Sequence, residues 1–521
     1  MIKRLDSHAL VALGAIGPSL VVVLVLLLVS GPSNTRLRGG LSAVWKAGFR
    51  LTVATSRESG EAVVRPASSS PLGRLADAEH PSRRAGRVSS VRWERCDDAG
   101  RSCVPIPGAT TASYTLTHQD IGKALRVVVD GVESSPYGAT TAGNPGAALP
   151  TRMPESSGSS HVYLSPRGSD SNCVADDIAK PCRTLAEAIS KATDGTIIEV
   201  RGTNVGTFTA YQIVDDHVTP CRFSSANPVT IRTYPPDAEA LFAGSVSNVY
   251  FGGCTGVRVR NIRFSSPRAR AGLKVDAVQH FELDGITSGP NGSNSKLGAH
   301  GILVSSSSTY SPTITTDLQI WNSTIFDWHH GPLPNGNHGI YLATSNRTVV
   351  ANCVIYNDVR GGGYGIQLGA ATSNSLIVDN TIDGITTNGR ALAGSGLVVW
   401  GDESEGTPSH NDLIANNLLT NNQAWAVVAS GHTPGPLSVV RSDLTFHNAA
   451  GSYRATFGTN RLFSVEAPEY AGDPLYVDRP AHDYHLSRSS PGLGKAEPAY
   501  ASLLDKDGNL RPLRPALGPY D

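Results

Sequence analysis

The chain has 521 residues, with 44 Lys and Arg against 44 Asp and Glu, so its formal net charge is zero. That balance offers no excess basic charge, and neither nucleic acid nor an anionic membrane surface is expected as an electrostatic partner. Gly is abundant at 54, Met nearly absent at 2, and Asn, Ser and Thr crowd the second half, the composition of short strands joined by tight turns.

The N-terminus reads MIKRLDSHALVALGAIGPSLVVVLVLLLVSGPS, where Lys3 and Arg4 precede an uncharged run from Ala9 to Val29. Its length is close to the roughly 20 residues that span a bilayer, which favours an uncleaved anchor over a cleaved signal peptide for residues 1–35. Gly14, Gly17 and Pro18 weaken the helix and keep the cleaved alternative open. Either way the remainder is exported, to the cell surface or beyond. The cysteines agree: Cys96 with Cys103, Cys173 with Cys182 and Cys221 with Cys254 are close pairs that read as disulfides in an exported chain, with connectivity open. Cys353, in VVANCVIY, reads as a buried free thiol.

Residues 41–140 form a small β module. From Val91 to Asp130 the pattern is strand, Cys-closed turn, strand, a helical turn at THQDIG, then the alternating strand ALRVVVD. GFRLTVA, from Gly48 to Ala54, matches that last strand and suggests an earlier degenerate copy at 41 to about 65. Residues 66–85 and 141–160 are rich in Pro, Gly and Ser and read as linkers.

Residues 161–521 carry the repeats. Leu185, Ala188, Ile189 and Ala192 share one helical face, suiting a capping helix. Beyond it, two apolar positions five apart enclose Asn or Asp in VRNIRF, IWNSTI, VANCVI, IVDNTI and IANNLL, and FELDGI, ending at Ile286, keeps the apolar pair without the Asn. A second element runs in phase, a small residue then apolar, any, apolar: GLKV, GILV, GIYL, GIQL and GLVV. Short-strand repeats of this length bury no face unless they stack on one another, which predicts a solenoid, here a parallel β-helix with Asn ladders at its bends.

The opening YLSPRGSD, PCRTLAEAI and DGTIIEVRG, the NHGIYL rungs, and the closing GDPLYVDRPAHDYHLSRSSPGLG with DKDGNLRP resemble exported right-handed parallel β-helix proteins of the pectate-lyase-like superfamily. The module, with one Trp, two Cys and a terminal LRV strand, resembles Ig-like repeats of exported bacterial proteins, which implies a spacer or binding role. The superfamily contains polysaccharide lyases, hydrolases and epimerases as well as non-catalytic surface proteins, so the resemblance implies the fold and leaves the chemistry open.

In-phase stacking turns positions into columns. The residues before each small-residue strand are Ala271, His300, His338, Tyr364 and Ser395, and the outward middle residues are Lys274, Leu303, Tyr341, Gln367 and Val398. His338 and Tyr341 are therefore expected on one external face with His300, Lys274, Tyr364 and Gln367, walled by WHHGPLPNGN, NDVRGGG and WGDESEGTPSHND. Breaking the C5–H bond of a uronic acid needs a base and a cation beside the carboxylate. His338, His330, Lys274 and Tyr364 are the candidate bases and Arg360 the cation, with His300, His329, Tyr341, Gln367 and Trp400 as substrate contacts. Calcium, which the resemblance implies for many lyases, would fall to Asp402, Glu403 and Glu405. Zinc finds no usual ligand spacing here. Hydrolysis would instead need two carboxylic acids across the bond, with Asp327, Asp358 and Asp402 available, and ranks below elimination.

Two readings stand: a lyase or epimerase of uronic-acid glycans, and a non-catalytic surface β-helix that binds glycan or serves as a scaffold. Either makes polysaccharide the partner. A histidine before a rung glycine can also simply bond the turn.

Overall fold

The computed structural model describes residues 51–55, 62–66, 91–96, 102–110, 114–115, 122–129, 132–133, 137–140 and 149–521, the last without 151, 202–220, 236–239, 244–248, 266–270, 293–298, 308, 310–312, 329–336, 358–362, 388, 390–391, 402–406, 432–436 and 513. The N-terminal apolar run and residues 117–121 of the THQDIG turn lie outside the described residues. Among those described, no helix is long and apolar enough to cross a membrane.

In the module, Val91–Cys96 pairs antiparallel with Val104–Pro105 and with Gly122–Val129, which also pairs Val132–Glu133 and Tyr137–Thr140. Trp93 is fully buried and Cys96 bonds Cys103. Upstream, Leu51–Thr55 and Ala62–Pro66 form a hairpin that adds Tyr114–Thr115 of the module as a third strand, so the upstream segment shares a sheet with the module.

From Ser160 onward the chain coils through three stacked sheets. Thr255–Arg260 lies in the first, Ile262–Ser265 in the second and Ala271–Asp276 in the third, and the next rung repeats the order. Pairing within all three sheets is parallel, in line with a parallel β-helix. The third-sheet columns are in the expected register: Leu273, Ile302, Ile340, Ile366 and Leu397 align, as do Val275, Val304, Leu342, Leu368 and Val399, all fully buried in one continuous core. Strands buried on both faces explain the near-continuous Val, Ile and Leu. Leu185–Lys191 is a short α-helix whose Leu185, Ala188 and Ile189 join the same core, with Ala192 as its C-terminal cap rather than a helical residue.

One bend differs from expectation. Leu283 pairs with Val259, and Ser288 with Phe264, so the repeat at this rung is LDGITS and not FELDGI, shifted by two residues. Backbone conformation explains the shift. The bend position holds Asn261, Gly285, Asn322, Asn352, Asp379 and Asn416, all at φ between 51° and 63°, the left-handed region that Gly, Asn and Asp tolerate best. The bends also carry two ladders. In the outer one, Asn322 donates to Asp284 at 2.8 Å and Asn352 to Asn322 at 3.2 Å. In the inner one, Asn380 donates to Asn417 and Asn417 to Asp443, each at 3.0 Å. Cys353 occupies the same inner column. Its N–H donates to Asn380 at 2.9 Å, and burial pushes its thiol up to about 11, as suits an inert free thiol.

Two of the three outer faces are covered by the chain itself. Residues 152–159, the end of the stretch read as a linker, lie across the first sheet: Arg152 contacts Glu282 at 2.7 Å and Asp284 at 2.6 Å, Glu155 contacts Arg258 at 2.7 Å, and Ser157 N–H donates to Asn227. Burial would raise the Asp284 carboxyl, but Arg152 and Arg260 beside it hold it down at about 2. The C-terminal segment covers the second sheet, packing Tyr484 against Val354 and Tyr356 and Leu517 against Leu418 and Leu444.

Acid lowers the stability of most folds, and here one contribution runs the other way. Asp412 is fully buried and accepts from Ser375 N–H at 2.9 Å and Ser409 Oγ at 2.6 Å, yet burial pushes its carboxyl up to about 6. An unfolded Asp titrates near 3.9. The native state therefore holds this proton more tightly, a contribution present in full below pH about 4 and lost as pH rises through about 6. Comparing urea midpoints of Asp412→Asn and the parent from pH 4 to 7, the variant is expected to lose less stability on the way up; parallel profiles would contradict the assignment.

Candidate functional site

The residues that line the third sheet stand on a column of glycines. A Cβ on Gly301 would lie 2.6 Å from the Gly339 carbonyl oxygen, one on Gly339 2.6 Å from that of Gly365, and one on Gly365 2.5 Å from that of Gly396. Only glycine fits such close backbone stacking, and the strand turns inward there. The preceding residue is left facing out, which is why His300, His338, Tyr364 and Ser395 align in adjacent strands.

The histidine rings stack at 4.9 Å with planes 7° apart, and their Nδ1 atoms are 2.9 Å from each other. His338 Nε2 lies 2.6 Å from Gln367 Oε1. Tyr341 stacks on His338 at 4.7 Å and sits 5.8 Å from His300, while Tyr364 is 5.2 Å from His338. His300, His338, Tyr364 and Gln367 are buried and Tyr341 is half-buried. Burial pushes the Tyr364 phenol above its ordinary value.

Hydrogen-bond accounting sets the proton order. A carbonyl oxygen at Gln367 makes His338 Nε2 the donor, so neutral His338 has its lone pair on Nδ1. That nitrogen accepts from His300 Nδ1–H, and His300 carries its lone pair on Nε2. Two N–H groups cannot face each other across 2.9 Å, so the neutral pair holds a single proton between its two Nδ1 atoms. Nitrogen-15 NMR above the usual histidine range is expected to show His338 protonated at Nε2 and His300 at Nδ1; the reverse tautomers would contradict this order.

The remaining candidates fall elsewhere. Lys274 lies in the Tyr341 column but two strands away, tied to Asp276 at 2.7 Å and placed over the Tyr250 ring at 4.8 Å, so it does not join the histidines. Trp400 ends the Ser395–Trp400 strand, half-buried beside Tyr364 and Val398, with its indole N–H buried and without a partner among the described residues. His329, His330, Asp358, Arg360, Asp402, Glu403 and Glu405 lie outside the described residues. Of the three carboxylates considered for hydrolysis only Asp327 is described, at a bend with φ 48°. No group of three or more His, Cys, Asp or Glu side chains that could hold a metal is present among the described residues.

The face continues beyond the strands read from sequence. Trp425–Ser430 and Gly451–Arg454 extend the third sheet, placing half-buried Trp425 and Arg454 on its outer side. Ala426 takes the small-residue position there, a signal visible once alanine is allowed beside glycine.

No family model matches the chain, and no curated protein does. Among solved structures, the chain is 12% identical to the pectate lyase Pel9A, with 69% of this chain and 96% of that one covered at a TM-score of 0.42. An alginate lyase from Paenibacillus sp. str. FPU-7 is 15% identical, with 54% and 96% covered and a TM-score of 0.37. The Azotobacter vinelandii mannuronan C-5 epimerase AlgE6 A-module is 14% identical, with 60% and 91% covered and a TM-score of 0.34.

Proposed function

We propose that this chain is an extracytoplasmic β-helix protein that acts on uronic-acid-containing glycans at the outer face of its third sheet, by elimination or by C5 epimerisation. The observation that carries this reading is the convergence of His300, His338, Tyr341, Tyr364 and Gln367 on one face while the chain's own segments cover the other two. Three disulfides support the extracytoplasmic setting. Residues 1–35 anchor the chain to the membrane, and the module stands between anchor and β-helix as a spacer.

In this reading Tyr341, the half-buried ring of the cluster, meets the sugar. The histidine pair behind it takes the C5 proton, with His300 Nε2 as the basic nitrogen and Gln367 fixing the tautomer of His338. In elimination the C5–H electron pair forms the C4–C5 double bond as the C4–O bond breaks and the departing oxygen takes a proton from water; in epimerisation water returns a proton to the opposite face of C5. Arg360 neutralises the uronate carboxylate, and Asp402, Glu403 and Glu405 are the proposed calcium ligands. The test is incubation of the intact chain with a panel of uronate polymers, with and without calcium, following the ultraviolet absorbance of an unsaturated uronate. A rise establishes elimination, whereas, in deuterated buffer, inversion at C5 with deuterium gained there and no rise establishes epimerisation.

One observation favours a second reading, a non-catalytic glycan-binding or structural β-helix. His300 and His338 are buried, and both ring nitrogens of His338 are engaged within the protein. Glycan binding with neither product would select it.

A further inference from the structure

Arg454 stands apart from the arginines of the first sheet. Arg232, Arg258, Arg260 and Arg441 each pair with a carboxylate. Arg454 instead lies 5.9 Å from the Trp425 ring centre and 5.5 Å from that of Phe457, and no carboxylate pairs with it among the described residues. The cradle is built by neighbouring rungs. Trp425 pairs with Gly451, where a Cβ would stand 3.0 Å from its ring and φ is +130°, so the indole lies against bare backbone. Phe457 comes from the small hairpin Thr456–Phe457 with Asn460–Arg461, immediately after the strand. Two rings holding a guanidinium restrict its rotamers and leave its in-plane N–H edge as the remaining bonding surface, the geometry that receives a carboxylate.

Position gives this fork a purpose. Tyr341, Gln367, Val398, Val428 and Arg454 follow one another in a single outward column, so Arg454 stands four strand spacings, about 19 Å, from Tyr341. The geometry points to Arg454, cradled by Trp425 and Phe457, as a distal subsite for a carboxylate of an anionic polysaccharide lying along the third sheet, across its strands. This rests on the glycan-acting reading above and deepens it. The polymer runs parallel to the stacking direction, and only chains long enough to reach from Tyr341 to Arg454 gain the extra contact. Charge-assisted bonds to a planar guanidinium are among the stronger single contacts a polar ligand makes.

Calorimetric titration of the intact chain with oligogalacturonates and oligoalginates of graded length, and with their carboxyl-reduced forms, tests the assignment. The parent is expected to bind long uronates about tenfold more tightly than short ones. Arg454→Met removes that increment without changing affinity for short or carboxyl-reduced oligomers, and Arg454→Lys, which keeps charge but not the fork, recovers part of it. Equal affinities of parent and Arg454→Met at every length would overturn the subsite and leave the glycan reading standing, as would equal losses for short and long chains. A parent that binds no uronate, or binds the carboxyl-reduced forms equally well, would overturn both. Phe457→Leu, which loosens the cradle without touching charge, gives a smaller loss confined to the long uronates.

Discussion

If the proposed function holds, His338→Gln is expected to lower uronate turnover by a factor of about 10² to 10⁴, the range for removal of a positioned proton-transfer group. The size follows from where His338 sits. Its Nδ1 faces His300 at 2.9 Å, its Nε2 faces Gln367 at 2.6 Å, and Tyr341 stacks on its ring, so a single substitution breaks the proton order of the pair and unseats Tyr341, the proposed sugar contact. A loss of that size corresponds to about 3 to 5 kcal/mol of transition-state stabilisation. Initial rates by ultraviolet absorbance measure it, with near-ultraviolet circular dichroism confirming that the β-helix is intact. Full activity in a folded variant would reduce the histidine column to structural bonding of the turns.

Arg511→Met is expected to destabilise the fold by about 3 to 5 kcal/mol, the cost of removing one partner from a buried ion pair. Arg511 is fully buried. It contacts Asp521 at 2.6 Å, the Gly518 carbonyl at 2.7 Å and Asn352 Oδ1 at 2.9 Å, so one side chain ties the C-terminal segment to the outer Asn ladder. The same segment brings Ser502 N–H to Asp379 at 2.7 Å and Lys506 to the Asn322 carbonyl. Burial lowers the Lys506 ammonium to about 8. Urea midpoints and limited proteolysis report the effect, with cleavage expected first in the C-terminal segment. A change below about 1 kcal/mol would mean the segment is held by its apolar contacts through Leu517 and Tyr484.

The repeat pattern and its columns were legible because a stacked parallel sheet copies sequence phase into space: the GLKV, GILV, GIYL, GIQL and GLVV strands pair residue for residue. Ser288 was not legible. Its rung keeps the left-handed bend with Gly285 instead of Asn and closes on a hydroxyl that donates to the Gly301 carbonyl at 2.8 Å, so an apolar template slides by two residues. The covering of the first sheet by residues 152–159 was hidden because Pro, Gly and Ser describe a segment without periodicity, and its anchors are the isolated residues Arg152 and Glu155. At the site, the histidine column followed from phase, whereas the His300 to His338 to Gln367 chain depends on side-chain reach across adjacent strands, which spacing does not encode. Lys274 shares the Tyr341 column but satisfies its charge at Asp276, a neighbour two residues along its own strand.

Elimination and epimerisation both begin by breaking the C5–H bond of the uronate, so loss of that proton is the most direct test of the third-sheet site. Followed by proton NMR in deuterated buffer over a panel of uronate polymers, with and without calcium, the C5 signal is predicted to disappear with the parent chain and to persist with His338→Gln. Retention of the C5 proton on every polymer by the folded parent, or equal loss with the variant, would contradict the account.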